Sequence, residues 1–556
     1  MRVVLCTLHS SFTHSSLALR YLRAAIREQF PDNHLLELQV KDDPRRVVAE
    51  LGRFQPDVVA FSCYLWNITA TLALATDIKA VLPQVTIVLG GPEVGPRAAE
   101  LLASYPAVDY VIAGEGEQPF ADLLHTLQTG RQPHSIAGVY YRNSEGQIGY
   151  TPARRLDSEK IPRPYTAQEL SELQHKLVYY ETSRGCPFRC SYCLSGGDRV
   201  RMLPLERVFA DLKLLLEANI PLIKFIDRTF NCNPQRALTI MQFLLANRRE
   251  SRFHFEICAD ILTDELLDWL VTVPEDIFQF EIGVQSVNSA TLKAIGRRMQ
   301  WDKLSRNVRK LRAADNIHLH LDLIAGLPWQ DWEAIRTSFD QVIALRPHML
   351  QLGFLKVLPG TRMAEEVQEH GLKVSCQPPY EVLETNWLSF AQLNRLHVME
   401  GLLEYYYNSG LLYYSLPYIW TKLEPSPFQW FYQLAEHWEA AGLHLVSHGR
   451  EALFKYMETY CQPDTVLKDL LTIDKARMLP SFPAQFKLPA DCRSAWDEYL
   501  TEHLACWAPR TYKQAFRTIF PIKLQKKTLE YLGQPGSYNT AVVDRQRQKV
   551  VDFIYL

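Results

Sequence analysis

The sequence has 556 residues and a formal net charge of -2, so it is too long for one hydrophobic core and predicts about three domains. Hydrophobic residues make up 47% and charged residues 22%, which excludes a disordered or strongly basic chain and gives no global reason to expect nucleic acid or an anionic membrane as a partner. The chain opens on a strand rather than a signal peptide and has no continuous apolar stretch of about 18 residues, so we expect a cytoplasmic protein without a membrane span.

Residues 1–135 alternate short apolar runs with amphipathic segments. This alternation predicts a flavodoxin-like domain, a doubly wound parallel sheet with helices on both faces. The predicted strands are Val3–Leu8, Leu35–Val40, Val58–Ser62, Thr86–Leu89 and Tyr110–Ala113, and the helices between them include Arg45–Phe54, Ile68–Val81, Arg97–Ser104 and Gln118–Gln128. Ligands of such sheets bind at the carboxyl ends of the strands, which here carry Ser62, Gly90, Gly91 and Glu115.

Residues 136–176 are rich in proline and polar side chains, which predicts a linker with a short hairpin at Gly138–Tyr150. Strand and helix alternate again over residues 177–375. The predicted strands there are Leu177–Thr182, Leu222–Ile226, Phe253–Ile257, Phe278–Gly283, His318–Ile324 and Leu350–Leu355. Six strands with helices between them predict a partial (β/α)6 barrel.

Residues 376–556 change in character and predict a mostly helical domain. Helical patterns cover Asn394–Tyr407, Pro427–Ala441 and Gly449–Tyr460, and Ala541–Tyr555 predicts a hairpin. The many aromatic residues favour core packing over a substrate cavity. Six basic and no acidic residues lie between Arg510 and Lys527, a pattern typical of a solvated helix face that would also suit a phosphate or RNA ligand.

Three of the 11 cysteines, Cys186, Cys190 and Cys193, cluster directly after the first predicted barrel strand. In a reducing compartment, clustered cysteines indicate metal binding or catalysis rather than disulfides. A structural zinc site would need a fourth nearby Cys or His, and none follows within the loop. The spacing therefore predicts a [4Fe–4S] cluster with three cysteine ligands and one iron open to a further ligand.

The Cys-x-x-x-Cys-x-x-Cys motif, with the aromatic Tyr192 before its third cysteine, resembles the radical S-adenosylmethionine superfamily. The resemblance covers residues 177 to about 360 and is strongest to the oxygen-independent coproporphyrinogen oxidase and methylthiotransferase branches. It implies that the open iron binds S-adenosylmethionine and that the reduced cluster cleaves it to a 5′-deoxyadenosyl radical.

Later strands carry further elements of the same resemblance. The segment around Asp227 resembles the second-strand motif near the methionine end of the cosubstrate, although many members have Gly-Gly where this chain has Asp227-Arg228. The resemblance implies that Glu256 binds the ribose hydroxyls and that Arg297 pairs with the methionine carboxylate. Together with Tyr192, the implied contacts of S-adenosylmethionine are Asp227, Glu256, Gln285, Arg297 and Asp322.

Ahead of such a barrel, the N-terminal loops resemble the cobalamin-binding domain of many radical enzymes. The implied contacts are Ser62, Gly90, Gly91 and Glu115, because small residues let a nucleotide tail approach the backbone. Domains that ligate cobalt carry Asp-x-His-x-x-Gly after the first strand, and His14 has neither that Asp nor that Gly. We therefore expect cobalamin without a protein histidine on cobalt. The alternative, a methylthiotransferase domain with a second cluster, needs three cysteines, and only two precede the barrel.

The resemblance as a whole is to radical enzymes that bind cobalamin, a subset of which carry a helical C-terminal extension without an assigned function. We expect a methyltransferase that acts on an unactivated carbon of a small molecule or peptide and takes electrons from an external one-electron reductant such as flavodoxin or ferredoxin. Two alternatives stay open: a radical rearrangement or cyclisation enzyme that uses cobalamin, and an RNA-modifying enzyme, which only the basic run favours. A role as a cobalamin or electron carrier would leave Glu256, Gln285 and Arg297 without a purpose.

Overall fold

The computed structural model describes residues 1–422, 424–479, 493–503, 519–534, 540–545 and 547–554. The chain forms two compact units. The first comprises residues 1–338 and 344–393, and the second comprises residues 339–343 and 394–556. Within the described ranges, every helix is too short or too polar to span a bilayer.

The N-terminal part of the first unit is a sheet of seven strands. They are β1 (Val3–His9), β2 (Asn33–Gln39), β3 (Val58–Ser62), β4 (Thr86–Gly90), β5 (Tyr110–Ile112), β6 (Val139–Arg142) and β7 (Ile148–Tyr150), in the order β2-β1-β3-β4-β5-β6-β7. Strands β1 to β5 are parallel, which confirms the predicted doubly wound fold. The hairpin predicted at Gly138–Tyr150 is present as β6 and β7, and it extends this sheet in the antiparallel direction.

Helices cover both faces of this sheet, and a cluster of buried apolar side chains lies on each face. The helices are α1 (Leu17–Ile26), α2 (Pro44–Arg53), α3 (Ile68–Val81), α4 (Ala98–Ser104) and α5 (Glu117–Gln128). The sequence explains where α1 begins, because the Ser16 side chain accepts a hydrogen bond from the Leu19 N–H and so caps the first turn. Because both faces are covered, the central strands are rich in apolar residues, and all seven residues of β1 are buried.

The second part of the first unit is the partial barrel. Six parallel strands, β8 (Val178–Tyr180), β11 (Leu222–Phe225), β12 (Arg252–Ile257), β13 (Phe278–Gln285), β14 (His318–Ala325) and β15 (Met349–Phe354), follow one another in the order β15-β14-β13-β12-β11-β8. The short pairs β9 (Ser183–Arg184) with β10 (Arg201–Met202) and β16 (Lys373–Val374) with β17 (Val382–Glu384) are antiparallel. The connecting helices are α6 (Ala167–Ser171), α7 (Leu205–Glu217), α8 (Pro234–Asn247), α9 (Asp264–Leu270), α10 (Ser289–Ala294), α11 (Trp301–Ala314), α12 (Trp332–Ile343) and α13 (Arg362–Glu365).

Alternation along the barrel strands separates the core from the site. In β13 the side chains of Phe278, Phe280, Ile282 and Val284 are buried, while the residues between them are only partly covered. Since successive side chains of a strand point to opposite faces, Glu281, Gly283 and Gln285 share the other face. The apolar residues thus hold the strand in the core, and the polar residues are carried to the face that holds the candidate site.

The second unit is mostly helical, as predicted. Its helices include α14 (Phe390–Leu403), a π-helical turn (Glu404–Asn408), α15 (Ser415–Lys422), α16 (Pro427–Ala440), α17 (Arg450–Cys461), α18 (Thr465–Met478), α19 (Arg493–His503) and α20 (Lys526–Tyr531). The hairpin predicted at Ala541–Tyr555 is present as β19 (Thr540–Asp544) and β20 (Lys549–Ile554), with β18 (Ile519–Lys523) beside it. The first half of the basic run between Arg510 and Lys527, residues 510–518, lies outside the described residues.

Candidate active site

The cysteine loop (residues 186–197) follows β9 at one end of the barrel. Its backbone is held from two directions: the Cys186 N–H donates to the carbonyl of Asp198 at 3.0 Å, and the Ser191 N–H donates to the carbonyl of Ile295 at 2.9 Å. One residue directly after the loop and one about a hundred residues later in the chain therefore hold the loop, so that its three cysteines are presented by a defined backbone.

The thiols of this loop are available to a metal cluster. Cys186 and Cys190 are buried, Cys193 is half-buried, and none of them forms a disulfide. Burial raises the pKa of Cys193, and the other two thiols raise it further. Arg297 Nη1 donates to Cys190 Sγ at 3.7 Å, and Thr229 Oγ1 lies 3.7 Å from Cys186 Sγ. A bound metal centre stabilises cysteines as thiolates, and three unoxidised cysteines on one loop, without disulfides, fit a cluster.

The described residues show no comparable site for a single metal ion. Across the ranges that the structure describes, no three His, Cys, Asp or Glu side chains converge closely enough to hold one ion.

The strand-end residues that the sequence assigned to S-adenosylmethionine lie around this loop with unsatisfied polar atoms. Among the described residues, Gln285 Oε1, Arg297 Nε and Ser191 Oγ are buried and have no hydrogen-bond partner. Gln285 also has a φ of 69°, a left-handed conformation that is unusual for a residue other than glycine. Buried polar atoms normally have partners, so these orphans fit a polar ligand at this position.

Glu256, at the end of β12, is the carboxylate of this group. Burial raises its pKa, and Glu281 raises it further, whereas Arg228 and Lys224 act in the opposite direction. Two hydroxyl donors from a ligand would offset the cost of holding this carboxylate ionised.

The structure gives Asp227 and Asp322 partners of their own. Asp227 is 1% exposed and accepts hydrogen bonds from the Thr182 N–H at 2.9 Å, the Thr182 hydroxyl at 2.7 Å and the Ser183 hydroxyl at 2.6 Å. It braces the strand that leads into the cysteine loop. Asp322 Oδ1 lies 2.8 Å from His320 Nε2, which is an ion-pair distance, but the two atoms do not have hydrogen-bond geometry. A contact of either aspartate with the cosubstrate stays a prediction.

One cavity of about 950 Å³ joins the two halves of the first unit. The N-terminal sheet contributes the ends of its strands, including the predicted residues Ser62, Gly90, Gly91 and Glu115. The barrel contributes residues from β8, from the cysteine loop and from the ends of β11 and β12, including Tyr179, Leu194, Arg228 and Glu256. The four residues that the sequence assigned to cobalamin therefore line the same space as Glu256, which it assigned to S-adenosylmethionine.

The positions of Gly90 and Gly91, at the end of β4, differ in how strictly the fold requires glycine. Gly91 has a φ of 113°, and a Cβ there would collide with the backbone carbonyl of Cys63, so the fold itself requires glycine. A Cβ at Gly90 would meet nothing closer than the Ile112 carbonyl oxygen at 3.8 Å, which is an ordinary contact. The small size of Gly90 is thus not needed for packing and fits the close approach of a ligand from the cavity.

The sequence did not reveal an ion network that we call the Arg184 cluster (Arg184, Glu115, Glu117, Glu181 and Arg201). Arg184 Nη2 lies 2.5 Å from Glu117 and its Nε lies 2.7 Å from Glu181. Glu115 pairs with Arg201 and accepts a hydrogen bond from the Leu156 N–H at 2.8 Å. Glu115, predicted to contact cobalamin, thus lines the cavity with its carboxylate already paired. The partners are up to 86 residues apart, so no local pattern signals them.

His14 also lies in the cavity wall, and it has a partner. Its Nδ1 lies 2.7 Å from the Tyr179 hydroxyl, and the two rings are stacked. Burial lowers the pKa of His14, and His9 lowers it further. Burial also raises the pKa of Tyr179 to about 12, so this pair is a neutral imidazole beside a neutral phenol at physiological pH.

Three family models match the chain. Residues 3–124 match the B12 binding domain, residues 180–342 match the radical SAM superfamily, and residues 368–500 match a protein family of unknown function, DUF4080. The radical SAM domain implies a [4Fe–4S] cluster and S-adenosylmethionine, and the B12-binding domain implies cobalamin.

Two methyltransferases are similar to part of this chain. The cobalamin-dependent radical SAM methyltransferase TokK of Streptomyces tokunonensis is 27% identical over 345 residues, which is 58% of this chain and 50% of TokK. The 2-(S-pantetheinyl)-carbapenam-3-carboxylate methyltransferase of Streptantibioticus cattleyicolor is 26% identical over 346 residues, 58% of this chain and 50% of that protein. This chain thus matches about half the length of each of these relatives.

A solved structure resembles a larger part of this chain than these sequence alignments cover. This structure is the cobalamin-dependent S-adenosylmethionine radical enzyme OxsB with aqua-cobalamin bound, which is 19% identical to this chain. The superposition has a TM-score of 0.62 and covers 90% of this chain and 75% of OxsB. The chain therefore carries, in this order, matches to a B12-binding domain, a radical SAM domain and a DUF4080 domain, and it is similar to cobalamin-dependent radical SAM enzymes.

Proposed function

We propose that this chain is a cobalamin-dependent radical SAM methyltransferase that methylates an unactivated carbon of a small molecule or peptide. The observation that carries the proposal is the shared cavity, because the four residues assigned to cobalamin line one space with Glu256, which is assigned to S-adenosylmethionine, and with part of the cysteine loop. A methyl donor and a radical source can act on one substrate only if both reach it. TokK and the carbapenam-carboxylate protein are methyltransferases, which supports methyl transfer as the outcome.

Each group has candidate residues in this chain. The cluster would be held by Cys186, Cys190 and Cys193, S-adenosylmethionine by Tyr192, Glu256, Gln285, Arg297 and Asp322, and cobalamin by Ser62, Gly90 and Gly91. When bound, the cluster supplies the electron that cleaves S-adenosylmethionine, and cobalamin supplies the methyl group.

The protein's own part is to bind, to orient and to keep water out. The half-buried Arg297 guanidinium, beside Cys190, would neutralise the methionine carboxylate, and Gln285 Oε1 would accept a further hydrogen bond. Glu256 would accept from the ribose hydroxyls. Asp227 would act indirectly, since it accepts hydrogen bonds from Thr182 and Ser183 and so holds the segment before the cysteine loop in place.

The wider assignments follow the same proposal. Residues 1–135 would form the cobalamin domain, 136–176 the connection, 177–375 the radical SAM core and 376–556 a helical domain without an assigned role. The electron would come from an external one-electron reductant such as flavodoxin or ferredoxin, and the protein would work in the cytoplasm. A cobalamin-dependent rearrangement or cyclisation would use the same residues, and only the product distinguishes it.

The test is to follow the methyl group. Anaerobically reconstituted protein is given reductant, hydroxocobalamin, S-adenosylmethionine with a deuterated methyl group and a metabolite extract of the source organism from which the gene has been deleted. We expect one compound of the extract to gain the deuterated methyl group, together with 5′-deoxyadenosine, by mass spectrometry. The variant in which all three cysteines of the loop are alanine should give neither. A product altered in structure without the label would contradict methyl transfer.

A further inference from the structure

Arg228 is an arginine in the cavity wall that the site described so far does not use. It follows β11, between the buried Asp227 and Thr229, which lies beside Cys186. Its side chain is exposed to the cavity, where Glu256 is a neighbouring lining residue. The position is the one at which the sequence departs from the Gly-Gly of many radical SAM enzymes.

Most other charged side chains of the cavity wall are neutralised by a partner. The carboxylates of Glu117 and Glu181 are paired with Arg184, and Asp198 is paired with Arg155. Arg228 is the exception among the cavity's guanidiniums: its side chain has no ion pair and no hydrogen bond with any residue in the described parts of the chain. The Arg228 side chain is exposed and attracts the Glu256 carboxylate without pairing with it, so its donors face the cavity and are available to an anion that enters it.

The chemistry of a guanidinium narrows what it can bind. Arginine stays charged, has five donors and no acceptor, and matches a carboxylate or a phosphate in a bidentate geometry. It therefore cannot accept a hydrogen bond from the amino group of S-adenosylmethionine. The carboxylate of S-adenosylmethionine already has a candidate partner in Arg297, which is half-buried beside the cysteine loop.

We propose that Arg228 binds a carboxylate or phosphate of the substrate inside the cavity and so determines its specificity for anionic molecules. This inference rests on the proposed function, since it assigns the substrate to the same space. Apolar surfaces complete the description: the Tyr64 and Trp66 rings, stacked 4.5 Å apart, lie in the same wall with Leu194 and Ile226. The substrate class is thus an anion with an apolar or aromatic body.

The experiment uses inorganic phosphate as the probe. Full-length protein with its cluster reconstituted and with S-adenosylmethionine and cobalamin bound is titrated with phosphate, and the broadening of the free phosphate ³¹P signal is measured. Arg228→Gln should weaken phosphate binding at least tenfold, whereas Arg228→Lys should retain part of it. The matched control is Arg249→Gln, which removes an exposed arginine after α8 that does not line the cavity and should leave the binding unchanged.

Two further measurements identify the source of the anion. Affinity for S-adenosylmethionine, by anaerobic calorimetry, and retained cobalamin, by absorbance, should both be unchanged in Arg228→Gln. A tenfold loss of S-adenosylmethionine affinity would assign the residue to the methionine carboxylate, and loss of cobalamin would assign it to the cofactor's phosphate; either result overturns the proposal. Equal phosphate binding in wild type and Arg228→Gln overturns it as well. None of these measurements needs turnover, so failure of methyl transfer alone would leave the result readable.

Discussion

Replacing Arg184 by methionine removes the cation at the centre of the Arg184 cluster while keeping a long unbranched side chain. In the wild type, Arg184 Nη2 is 2.5 Å from Glu117, at the start of α5, and Nε is 2.7 Å from Glu181, just before the cysteine loop. The three side chains are 13%, 7% and 11% exposed. The substitution would therefore leave two carboxylates buried without a counterion.

The cost follows from that burial. Removing one partner of a buried ion pair costs about 3–5 kcal/mol, because the remaining charge is uncompensated. Burial already raises the pKa of Glu181, so protonation limits the penalty, and we expect a loss of about 3 kcal/mol at neutral pH. The control is Arg53→Met, which breaks a surface pair with Glu50 at 2.7 Å whose side chains are 75% and 36% exposed. It should cost less than about 1 kcal/mol.

The pH dependence has a definite sign. A carboxyl group whose pKa is raised by folding stabilises the folded state in its protonated form, and this contribution is lost as the pH rises through the folded pKa. Arg184 holds the pKa of Glu181 down against burial, so that pKa rises further in the variant. The deficit of Arg184→Met relative to wild type should therefore widen between about pH 5 and about pH 8.

Urea denaturation followed by circular dichroism measures the free energy of unfolding at each pH. Adding Glu117→Gln to Arg184→Met removes one of the stranded charges and should recover about 1 kcal/mol, since a neutral amide is cheaper to bury. A deficit below about 1 kcal/mol, the same at every pH and not reduced by the second substitution, would refute the reasoning.

Four further predictions concern the ligands. Alanine at all three cysteines of the cysteine loop should abolish the iron–sulfur absorbance and 5′-deoxyadenosine formation; retention of both would reject the cluster assignment. Arg297→Ala should weaken S-adenosylmethionine binding about tenfold or more in calorimetry, by loss of a charged hydrogen bond worth about 1.5–3 kcal/mol, and unchanged affinity would mean that the cosubstrate lies elsewhere. Gly90→Val should lower cobalamin binding at unchanged stability, whereas Gly91→Val should lower the stability itself because of its positive φ; similar effects of both would contradict the distinction. Paramagnetic resonance of the cobalt(II) state should show no axial nitrogen, and a nitrogen signal lost in His14→Ala would overturn this expectation.

The sequence predicts the strands of this protein well, because the hydrophobic pattern of each segment and the length of that segment both indicate a strand. The strand predicted at Val58–Ser62 is β3 with the same bounds. The strand predicted at Phe278–Gly283 is β13, which extends two residues further, to Gln285. That extension contains the irregular pairing between Gly283 and Gln285, where the backbone of Gln285 turns to a positive φ. Such a local irregularity depends on the neighbouring strand and is not visible in the pattern of one segment.

The site shows where a single sequence stops being informative. A motif identifies the three cysteines, because they lie within eight residues of each other. The pairing of Glu115 with Arg201 spans 86 residues, so no local motif indicates it. The sequence pattern also treats Gly90 and Gly91 alike, whereas only the second is held at a conformation that excludes other residues. The place of Asp227 after a strand predicts a ligand contact, and its hydrogen bonds to Thr182 and Ser183 emerge only in three dimensions.

The common cavity has a consequence for how such a protein can change over generations. Its walls come from residues that two separate family models match, one covering residues 3–124 and the other 180–342. Neither module alone encloses the space, so a replacement of one by recombination would have to preserve the Arg184 cluster and the wall around Tyr179 at the same time. New substrates would then be reached more readily by single substitutions along that shared wall, at positions such as Leu194 and Trp66, than by exchange of whole modules.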